Sequence, residues 1–329
     1  MKSSFFRKSF IIIFVLSLVV LAIYSFSKFS IINRMSSDSS SDRSKNEILH
    51  LEVNGVIMNG KKFLHQLKKY SKESSVKAIV IEINSPGGAV GPSQEMYLEI
   101  LRTKNELKKP IICVSTGLIA SGGYYTALAC DKIVVAPGAM IGSIGVIMEF
   151  VNLEELYSWA KVKRFTITSG KFKDSGSEYR SMRPDEKELF QNMIDDVYNQ
   201  FKNAVIESRK LDESVVSKYA DGRVMTGKQA VSLKFADQEG TFEDAVRVAA
   251  DTANLNDDYQ IFKPKKASNS WVSFLFNQDE EEDELNSLSS NHFLNYWPFA
   301  NNNSLNELAE KIFKTKYNHQ PMYIVPGYL

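Results

Sequence analysis

The segment that most directly suggests chemistry is "LIASGGYY", residues 118–125, in which the hydroxyl of Ser121 stands before two glycines. The run "PIICVS" before it is typical of a strand and "GGYYTALA" after it of a helix, so Ser121 is expected at a helix start. Free backbone N–H groups and the helix dipole favour negative charge at that position. The sequence therefore suggests a nucleophilic serine, although a small-residue turn that only permits close packing fits the same letters.

A nucleophilic serine also needs backbone donors where oxyanion charge develops. Gly122 follows Ser121 directly, and Gly87 and Gly88 end the segment "NSPGG" with no side chain to block a substrate backbone. Taken alone, each glycine pair is more typical of a turn. Gly87, Gly88 and Gly122 are therefore candidate oxyanion donors, and the choice between the first two stays open.

The proton acceptor is the next requirement. The chain has four histidines, none of which stands in a polar loop beside a small-residue turn, so a Ser-His-Asp triad is disfavoured. Lysine is the remaining common base for serine, but neutralising an ordinary lysine at pH 7 costs about 4 to 5 kcal/mol unless burial or a nearby positive charge lowers its pKa. The loop "TSGKFKDSGS" offers Lys171 and Lys173, and spacing alone does not choose between them.

Composition limits the remaining functions. The 329 residues are 43% hydrophobic and 24% charged, as in an ordinary folded protein, and 40 basic against 39 acidic residues give no argument for a nucleic acid partner. The two cysteines, Cys113 and Cys130, lie in apolar context and are expected to be buried small hydrophobic residues rather than a disulfide scaffold. The sequence indicates no metal site and no organic cofactor.

The N-terminal region is predicted to anchor the chain in a membrane. Basic residues occur in residues 1–9, and residues 10–27 then form an uncharged, mostly apolar run long enough to cross a bilayer as a helix. We therefore expect a cytoplasmic N-terminus, a single anchor in the plasma (inner) membrane, a flexible linker over residues 28–46 and an extracytoplasmic main body. A cleaved signal peptide is the alternative, and it exports the body equally.

The main body, residues 47–253, alternates apolar strands with helices, which predicts an α/β fold with a buried, largely parallel sheet. Further strands are predicted at "SIGVIMEF" and "KRFTIT", and Pro184 is expected to open a long amphipathic helix whose apolar stripe needs a partner surface. Residues 254–329 are interpreted as a partly disordered tail because they contain an acidic run. Its final segment, "QPMYIVPGYL", could add to a sheet as an edge strand or dock in a groove.

Five motifs occur in an order and spacing that resembles the signal peptide peptidase A family, the membrane-anchored serine peptidases of family S49, in its short bacterial form. The motifs are "INSPGG", "ASGGYY", "CDKIVVAPGAMIGSIGVIM", "SGKFKD" and "DGRVMTGKQA", and the resemblance covers about residues 47–252. It implies a crotonase/Clp-like ββα superhelix. It also implies that Ser121 is the nucleophile, that Lys173 is the general base, that Ser143 holds the lysine amine and that Gly122 shares the oxyanion hole with Gly87 or Gly88.

The resemblance further implies an endopeptidase with a Ser/Lys dyad that hydrolyses remnant signal peptides and other unfolded or membrane-proximal chains. Such substrates would pair by strand addition near "NSPGG", and family members assemble as homo-oligomeric rings, with both dyad residues expected from one protomer. Two alternatives remain: a crotonase-like enzyme acting on acyl-CoA, and a catalytically silent scaffold or partner of a membrane protease.

Overall fold

The computed structural model describes residues 46–264 and 321–324. The predicted anchor, residues 10–27, and the predicted linker up to residue 45 lie outside these ranges. Within them, no helix combines the length and the apolar character that a bilayer span requires.

The strands and helices follow the alternation that the apolar runs predict. The strands are β1 (Glu47–Asn54), β2 (Val76–Asn84), β3 (Gly87–Ala89), β4 (Ile111–Ser115), β5 (Leu118–Ala120), β6 (Lys132–Val135), β7 (Met140–Gly142), β8 (Val224–Thr226), β9 (Gln238–Glu239), β10 (Gln260–Phe262) and β11 (Met322–Ile324). The helices are α1 (Lys61–Tyr70), α2 (Val90–Leu107), α3 (Gly122–Ala127), α4 (Glu154–Trp159), α5 (Pro184–Arg209), α6 (Glu213–Tyr219), α7 (Gly227–Ser232) and α8 (Phe242–Thr252).

A parallel sheet of six strands, in the order β10-β1-β2-β4-β6-β9, forms the centre of the described domain. The four inner strands, β1, β2, β4 and β6, are largely buried on both faces, since successive side chains point to opposite sides and both sets are covered. In β2, Ala78 and Val80 pack towards α8, whereas Ile79, Ile81 and Ile83 join the larger apolar core on the other side. The predicted α/β fold with a buried parallel sheet is confirmed. β10 belongs to this sheet, so residues beyond 254 contribute to it.

A smaller sheet, β5-β7-β8, and the pair β3-β11 lie beside the central sheet. β5 runs parallel to β7, and β8 runs antiparallel to β7. β5 and β7 end directly before Ser121 and Ser143, and β3 contains Gly87 and Gly88.

Two of the predicted strands are wrong. Residues 143–150 form no regular strand and contribute one isolated bridge, at Ile147, and residues 163–168 have no regular secondary structure. A strand needs a neighbour for its backbone hydrogen bonds, and within the described residues none pairs with residues 163–168. Their apolar side chains stay exposed instead: Phe165 is 83% and Ile167 92% exposed.

The expectation for the cysteines is also wrong. Cys113 in β4 and Cys130, three residues beyond α3, are both buried, but they form a disulfide. The bond joins the central sheet to the end of the segment that begins at Ser121. An exported protein tolerates such a bond, which the apolar context of each cysteine did not predict.

The long helix α5 begins at Pro184, as predicted, but its apolar stripe is only partly covered. Phe201 and Val205, in its second half, are buried in the core. Leu189 and Met193, in its first half, are each 39% exposed. Within the described residues, the first half of the stripe has an incomplete partner surface.

Candidate active site

Ser121 lies at the junction between β5 and α3 in a strained backbone conformation. Its φ of 50° and ψ of −117° are unusual for a residue other than glycine. The junction is held on both sides, because the N–H of Ser121 donates to the carbonyl of Gly142 at 2.7 Å and its carbonyl accepts from the N–H of Tyr125 at 2.8 Å. Backbone strain of this kind is concentrated at functional sites.

The Ser121 hydroxyl is buried, and its oxygen has no hydrogen-bond partner among the described residues. Leaving a buried hydroxyl unpaired costs about 1 to 3 kcal/mol. A group in that state, at the start of a helix, is available to form a hydrogen bond with a substrate or with a base.

Strand register brings Ser143 beside Ser121. Ala120 in β5 pairs with Gly142 in β7, so the next residues along the two parallel strands, Ser121 and Ser143, are neighbours. Ser143 is buried, has a φ of 52° and donates its N–H to the carbonyl of Arg223 at 2.8 Å. The two serines thus occupy matching positions at the ends of adjacent strands.

The three candidate glycines converge at the same place. A Cβ added to Gly87 would stand 2.7 Å from the nitrogen of Gly122, and one added to Gly122 would stand 3.1 Å from the nitrogen of Gly88. The N–H of Gly87 is already used, because it donates to the hydroxyl of Ser85 at 3.1 Å. The geometry therefore favours Gly88 over Gly87 as the donor that acts together with Gly122.

The apolar C-terminal segment adds as a strand at these glycines, as its sequence allows. β11 runs antiparallel to β3, with Met322 opposite Ala89 and Tyr323 opposite Gly88. On its other side, Met322 exchanges both backbone hydrogen bonds with Ile147, at 2.9 and 3.1 Å. The groove between β3 and Ile147 therefore accepts an extended polypeptide, which is what the sequence predicts for substrate binding near "NSPGG".

Lys173 is not joined to Ser121 in the described chain. It lies on a turn, where its N–H donates to the carbonyl of Gly170 at 3.2 Å, and its side chain is exposed. Lys171 forms an ion pair with Asp185 at 2.7 Å and lies over the ring of Phe172, 5.0 Å from its centroid. The two lysines thus differ in their contacts, and Lys171 is engaged in an ion pair.

The turn that carries the lysines is fastened to the start of α5 by charged residues that the sequence analysis did not single out. Arg180 donates to the buried carboxylate of Glu186 at 2.9 and 2.5 Å, and to Asp174 at 3.2 Å. Arg183 donates to the carbonyl of Lys171 at 2.9 Å. Hydrogen bonds from Arg180, and one from the backbone N–H of Arg183, lower the pKa of Glu186 to about 2. The letters "RPDE" around Pro184 carry a helix-capping signal, but nothing in them indicates contact with the lysine turn.

His50 lies on β1 and contributes to a different cluster. Its ring nitrogen Nε2 is 3.0 Å from Glu82, and Glu52 completes a group whose ligand atoms lie within 4.8 Å of one another. Glu52 is, however, paired with Lys263 at 2.7 Å, so an ammonium group already supplies positive charge there. Burial lowers the pKa of His50, and Lys263 lowers it further.

Comparisons with known proteins show that the chain is similar to peptidases. The family model described as Peptidase family S49 matches residues 103–256. A protein of Synechocystis sp. that is named as a protease is 38% identical over 215 residues, which cover 65% of this chain and 77% of that protein. An Enterococcus faecium protein named as a signal peptide peptidase SppA is 33% identical over 264 residues, covering 76% of each chain. The chloroplastic serine protease SPPA of Arabidopsis thaliana is 32% identical over 206 residues, covering 62% of this chain and 30% of that protein.

Among solved structures, a variant of ClpP1 from Listeria monocytogenes is matched with a TM-score of 0.41 and 18% sequence identity. The match covers 60% of this chain and 94% of that one.

Proposed function

The chain belongs to peptidase family S49, and from this premise we propose that it is a membrane-anchored serine endopeptidase in which Ser121 and Lys173 form the catalytic dyad. The observation that carries the proposal is the buried, unpaired hydroxyl of Ser121 at a helix start, beside converging glycine N–H groups and a groove that holds an extended strand.

In the proposed reaction, Ser121 Oγ attacks a peptide carbonyl while a neutral Lys173 amine takes the hydroxyl proton. The N–H groups of Gly88 and Gly122 stabilise the tetrahedral oxyanion. As the C–N bond breaks, the lysine returns its proton to the leaving amine, and an ester to Ser121 remains. Water then hydrolyses the ester, with the same lysine as base. Ser143, beside Ser121 by strand register, is the proposed hydroxyl partner of the amine.

Assembly of several copies is the second part of the proposal. The segment that leads to Lys173 exposes large apolar side chains, with Trp159 82%, Phe165 83% and Ile167 92% exposed. Packing this face against another copy, in a homo-oligomeric ring, would cover these side chains and exclude water from the lysine turn. Exclusion of water lowers the cost of a neutral amine, which a base at neutral pH requires. Oligomers are most often built from identical copies in closed symmetry.

The proposed substrates are peptides in extended form: remnant signal peptides and other unfolded or membrane-proximal chains. The name of the Enterococcus faecium relative supports the signal peptide class, and the apolar run at residues 10–27 supports anchoring in membrane lipid at the plasma membrane. With this anchor, the catalytic domain would face the extracytoplasmic side. The balanced charge of the chain gives no support for a nucleic acid partner.

Substitution of the dyad tests the chemistry. Ser121→Ala is expected to abolish hydrolysis of a fluorogenic peptide, and Lys173→Ala to reduce it by at least about a hundredfold, within the range of general-base catalysis. Lys171→Ala, two residues away on the same turn, is the matched control and keeps most activity. Wild-type hydrolysis by Ser121→Ala would refute the mechanism, whereas an absence of hydrolysis by the wild-type chain would favour the alternative function, a catalytically silent scaffold or partner of a membrane protease. Activity that is lost in Lys171→Ala but kept in Lys173→Ala would transfer the role of base to Lys171.

Mixed assemblies test where the two dyad residues come from. If Lys173 of one subunit serves Ser121 of its neighbour, random mixing of inactive Ser121→Ala and Lys173→Ala chains restores roughly a quarter of wild-type activity in a ring. If both residues act within one subunit, the mixture stays inactive. Phe165→Ser is expected to reduce the oligomeric mass measured by sedimentation, whereas Leu98→Ser, at an exposed site on α2, leaves it unchanged. Sedimentation of the wild-type chain as a monomer would refute the assembly.

A further inference from the structure

The turn that carries Lys173 is held by two arginines, one on each side of the lysine. Arg183 donates to the carbonyl of Lys171 at 2.9 Å. Arg180 donates to the carbonyl of Asp174 at 3.1 Å and to its carboxylate at 3.2 Å. The backbone is therefore fixed both before and after Lys173, whose own side chain is exposed.

Both arginines are held in turn by one buried carboxylate, that of Glu186 in the first turn of α5. It accepts two hydrogen bonds from the guanidinium of Arg180, at 2.9 and 2.5 Å. The guanidinium of Arg183 lies 2.7 Å from the same carboxylate, and the backbone N–H of Arg183 donates to it at 2.9 Å. A planar guanidinium that binds a carboxylate through two nitrogens fixes its orientation as well as its position. We refer to Arg180, Arg183 and Glu186 as the arginine–glutamate cluster.

Helix α5 connects this cluster to the helix that begins after Ser121. Glu186 stands at the start of α5, and Phe201, in its second half, is buried with its ring centroid 5.0 Å from that of Tyr125. Tyr125 lies in α3, and its N–H donates to the carbonyl of Ser121 at 2.8 Å. Because the backbone hydrogen bonds of a helix fix its residues relative to one another, one element relates the lysine turn to the helix behind the serine.

The position of this turn matters because a general base must lie within hydrogen-bond reach of the proton that it takes. A lysine amine stands at the end of a flexible four-carbon stem, so the backbone from which it projects decides where it can reach. We propose that the arginine–glutamate cluster positions Lys173 so that its amine reaches the Ser121 hydroxyl. The proposal rests on the proposed peptidase function and adds residues that act through its base.

Arg180→Lys tests the proposal with the positive charge retained. A lysine beside Glu186 has no planar fork with which to bind Glu186 and Asp174 together. The variant is expected to lower kcat on a fluorogenic peptide by about a hundredfold, which is the cost of misplacing a catalytic group by about 1 Å. KM should stay unchanged, because the substitution does not alter the peptide groove beside β3.

Arg209→Lys is the matched control. Arg209, the last residue of α5, also joins a backbone carbonyl to a carboxylate: it donates to Lys234 at 3.0 Å and to Asp237 at 2.9 Å. It makes the same kind of contact at the other end of the same helix, so this variant should keep the wild-type kcat. An equal loss of kcat in Arg209→Lys would show that any loosening of α5 lowers activity, and would overturn the proposal.

A double-mutant cycle separates positioning of the base from general support of the fold. Lys173→Ala retains the residual hydrolysis that oxyanion donors and substrate binding supply. Arg180→Lys should lower this residual rate no further, because the group that it positions is already gone. An equal fall in kcat with and without Lys173 would assign Arg180 a structural role only. Wild-type kcat in Arg180→Lys would likewise overturn the proposal.

Arg183→Gln tests the other side of the turn and keeps the proposal falsifiable if Arg180→Lys does not fold. Arg183 is partly exposed, and its loss frees the carbonyl of Lys171. Hydrogen exchange followed by mass spectrometry should show faster exchange at residues 171–174, with a lower kcat and an unchanged KM. Lys171→Ala keeps that carbonyl and should change neither exchange nor kcat strongly. Unchanged exchange and kcat in Arg183→Gln would contradict the positioning role.

Failure of this proposal is distinguishable from failure of the proposed function. Activity that is lost in Lys173→Ala but unchanged in Arg180→Lys and Arg183→Gln keeps the Ser/Lys dyad and overturns the positioning role alone. Full activity of Lys173→Ala or of Ser121→Ala would overturn the dyad, and the positioning role with it.

Discussion

The tight packing at Gly122 leads to a prediction for Gly122→Ala. The new Cβ would stand 2.5 Å from the hydroxyl of Ser93, 3.1 Å from the nitrogen of Gly88 and 3.1 Å from the carbonyl oxygen of Tyr323. The first contact is shorter than any that a Cβ tolerates, so a neighbouring group must move. The other two lie where a substrate carbonyl meets its donors.

Gly122→Ala is expected to lower both the free energy of unfolding and kcat, by separate causes. Ser93 is buried and donates to the carbonyl of Ala89 at 2.9 Å, so displacing it disturbs a buried hydrogen bond, and overpacking of this kind costs about 1 to 3 kcal/mol of unfolding free energy. Misplacing one oxyanion donor lowers kcat by about a hundredfold to a thousandfold. We therefore expect Gly122→Ala to lose far more activity than its modest loss of stability explains.

Two measurements separate the loss of activity from the loss of stability: kcat/KM on a fluorogenic peptide, and the free energy of unfolding from urea titration. Gly91→Ala is the matched control, because nothing lies within 4 Å of its added Cβ and an alanine within α2 should stabilise the helix by about 0.5 to 1 kcal/mol. The double variant Ser93→Ala with Gly122→Ala removes the contact with the serine hydroxyl. It should recover stability but not activity.

Wild-type activity in Gly122→Ala would refute the assignment of Gly122 as an oxyanion donor. Full recovery of activity in the double variant would show instead that the loss came only from the displaced Ser93.

Three further predictions concern stability. Replacing Cys113 and Cys130 by serine should lower the free energy of unfolding by about 3 kcal/mol, which is the value for a disulfide that closes a loop of similar length. Reduction of the wild-type chain with dithiothreitol should produce the same loss. Equal stability of the reduced and oxidised chains would show that the disulfide does not stabilise the fold. The folded-state pKa of Glu186 is lowered to about 2, so the stability that its carboxylate contributes is fully present above pH 4.5, its ordinary pKa, and is lost as the pH falls from 4.5 towards 2. Glu186→Gln should therefore make the free energy of unfolding depend less on pH in this range. An unchanged pH dependence would contradict the role given to Arg180. The pKa of His50 is also lowered in the folded state, so below pH 6.5, its ordinary pKa, the unfolded chain binds the proton more readily and stability should fall as the pH drops. His50→Gln should remove this fall in thermal melts from pH 7 to pH 5. An equal fall in the variant would assign the pH dependence to other groups.

Much of the fold was predictable because its signals are local. The apolar run "VKAIVIEIN" of β2 is buried on both faces, which a parallel sheet between layers of helices requires, and Pro184 opens α5 because its fixed φ suits the first helical turn. The same reasoning failed at residues 163–168. Their letters favour a strand, but a strand also needs a partner, and the described chain supplies none.

In the candidate site, too, local sequence patterns predicted some features, whereas others depend on contacts that form only in the folded chain. Ser121 before a short helix is a local pattern, and the motifs around it connect it to family S49. The choice between Gly87 and Gly88 depends on the hydroxyl of Ser85, which binds the N–H of Gly87 only in the folded turn. The buried carboxylate of Glu186 likewise acquires its role from the side chain of Arg180, which reaches it only in the folded turn.

The sequence by itself determined the elements and the chemical types: the alternation of buried strands with helices, a serine at a helix start, two lysines on one turn and an apolar C-terminal segment. Only the tertiary structure decided which of these residues meet. It set Ser121 beside Ser143 by the register of two strands, and it set Tyr323 opposite Gly88 although 235 residues separate them in the chain. The physical reason is that element type depends on the periodicity of near neighbours, whereas pairing between distant segments depends on which packing buries the most apolar surface and satisfies the most backbone groups.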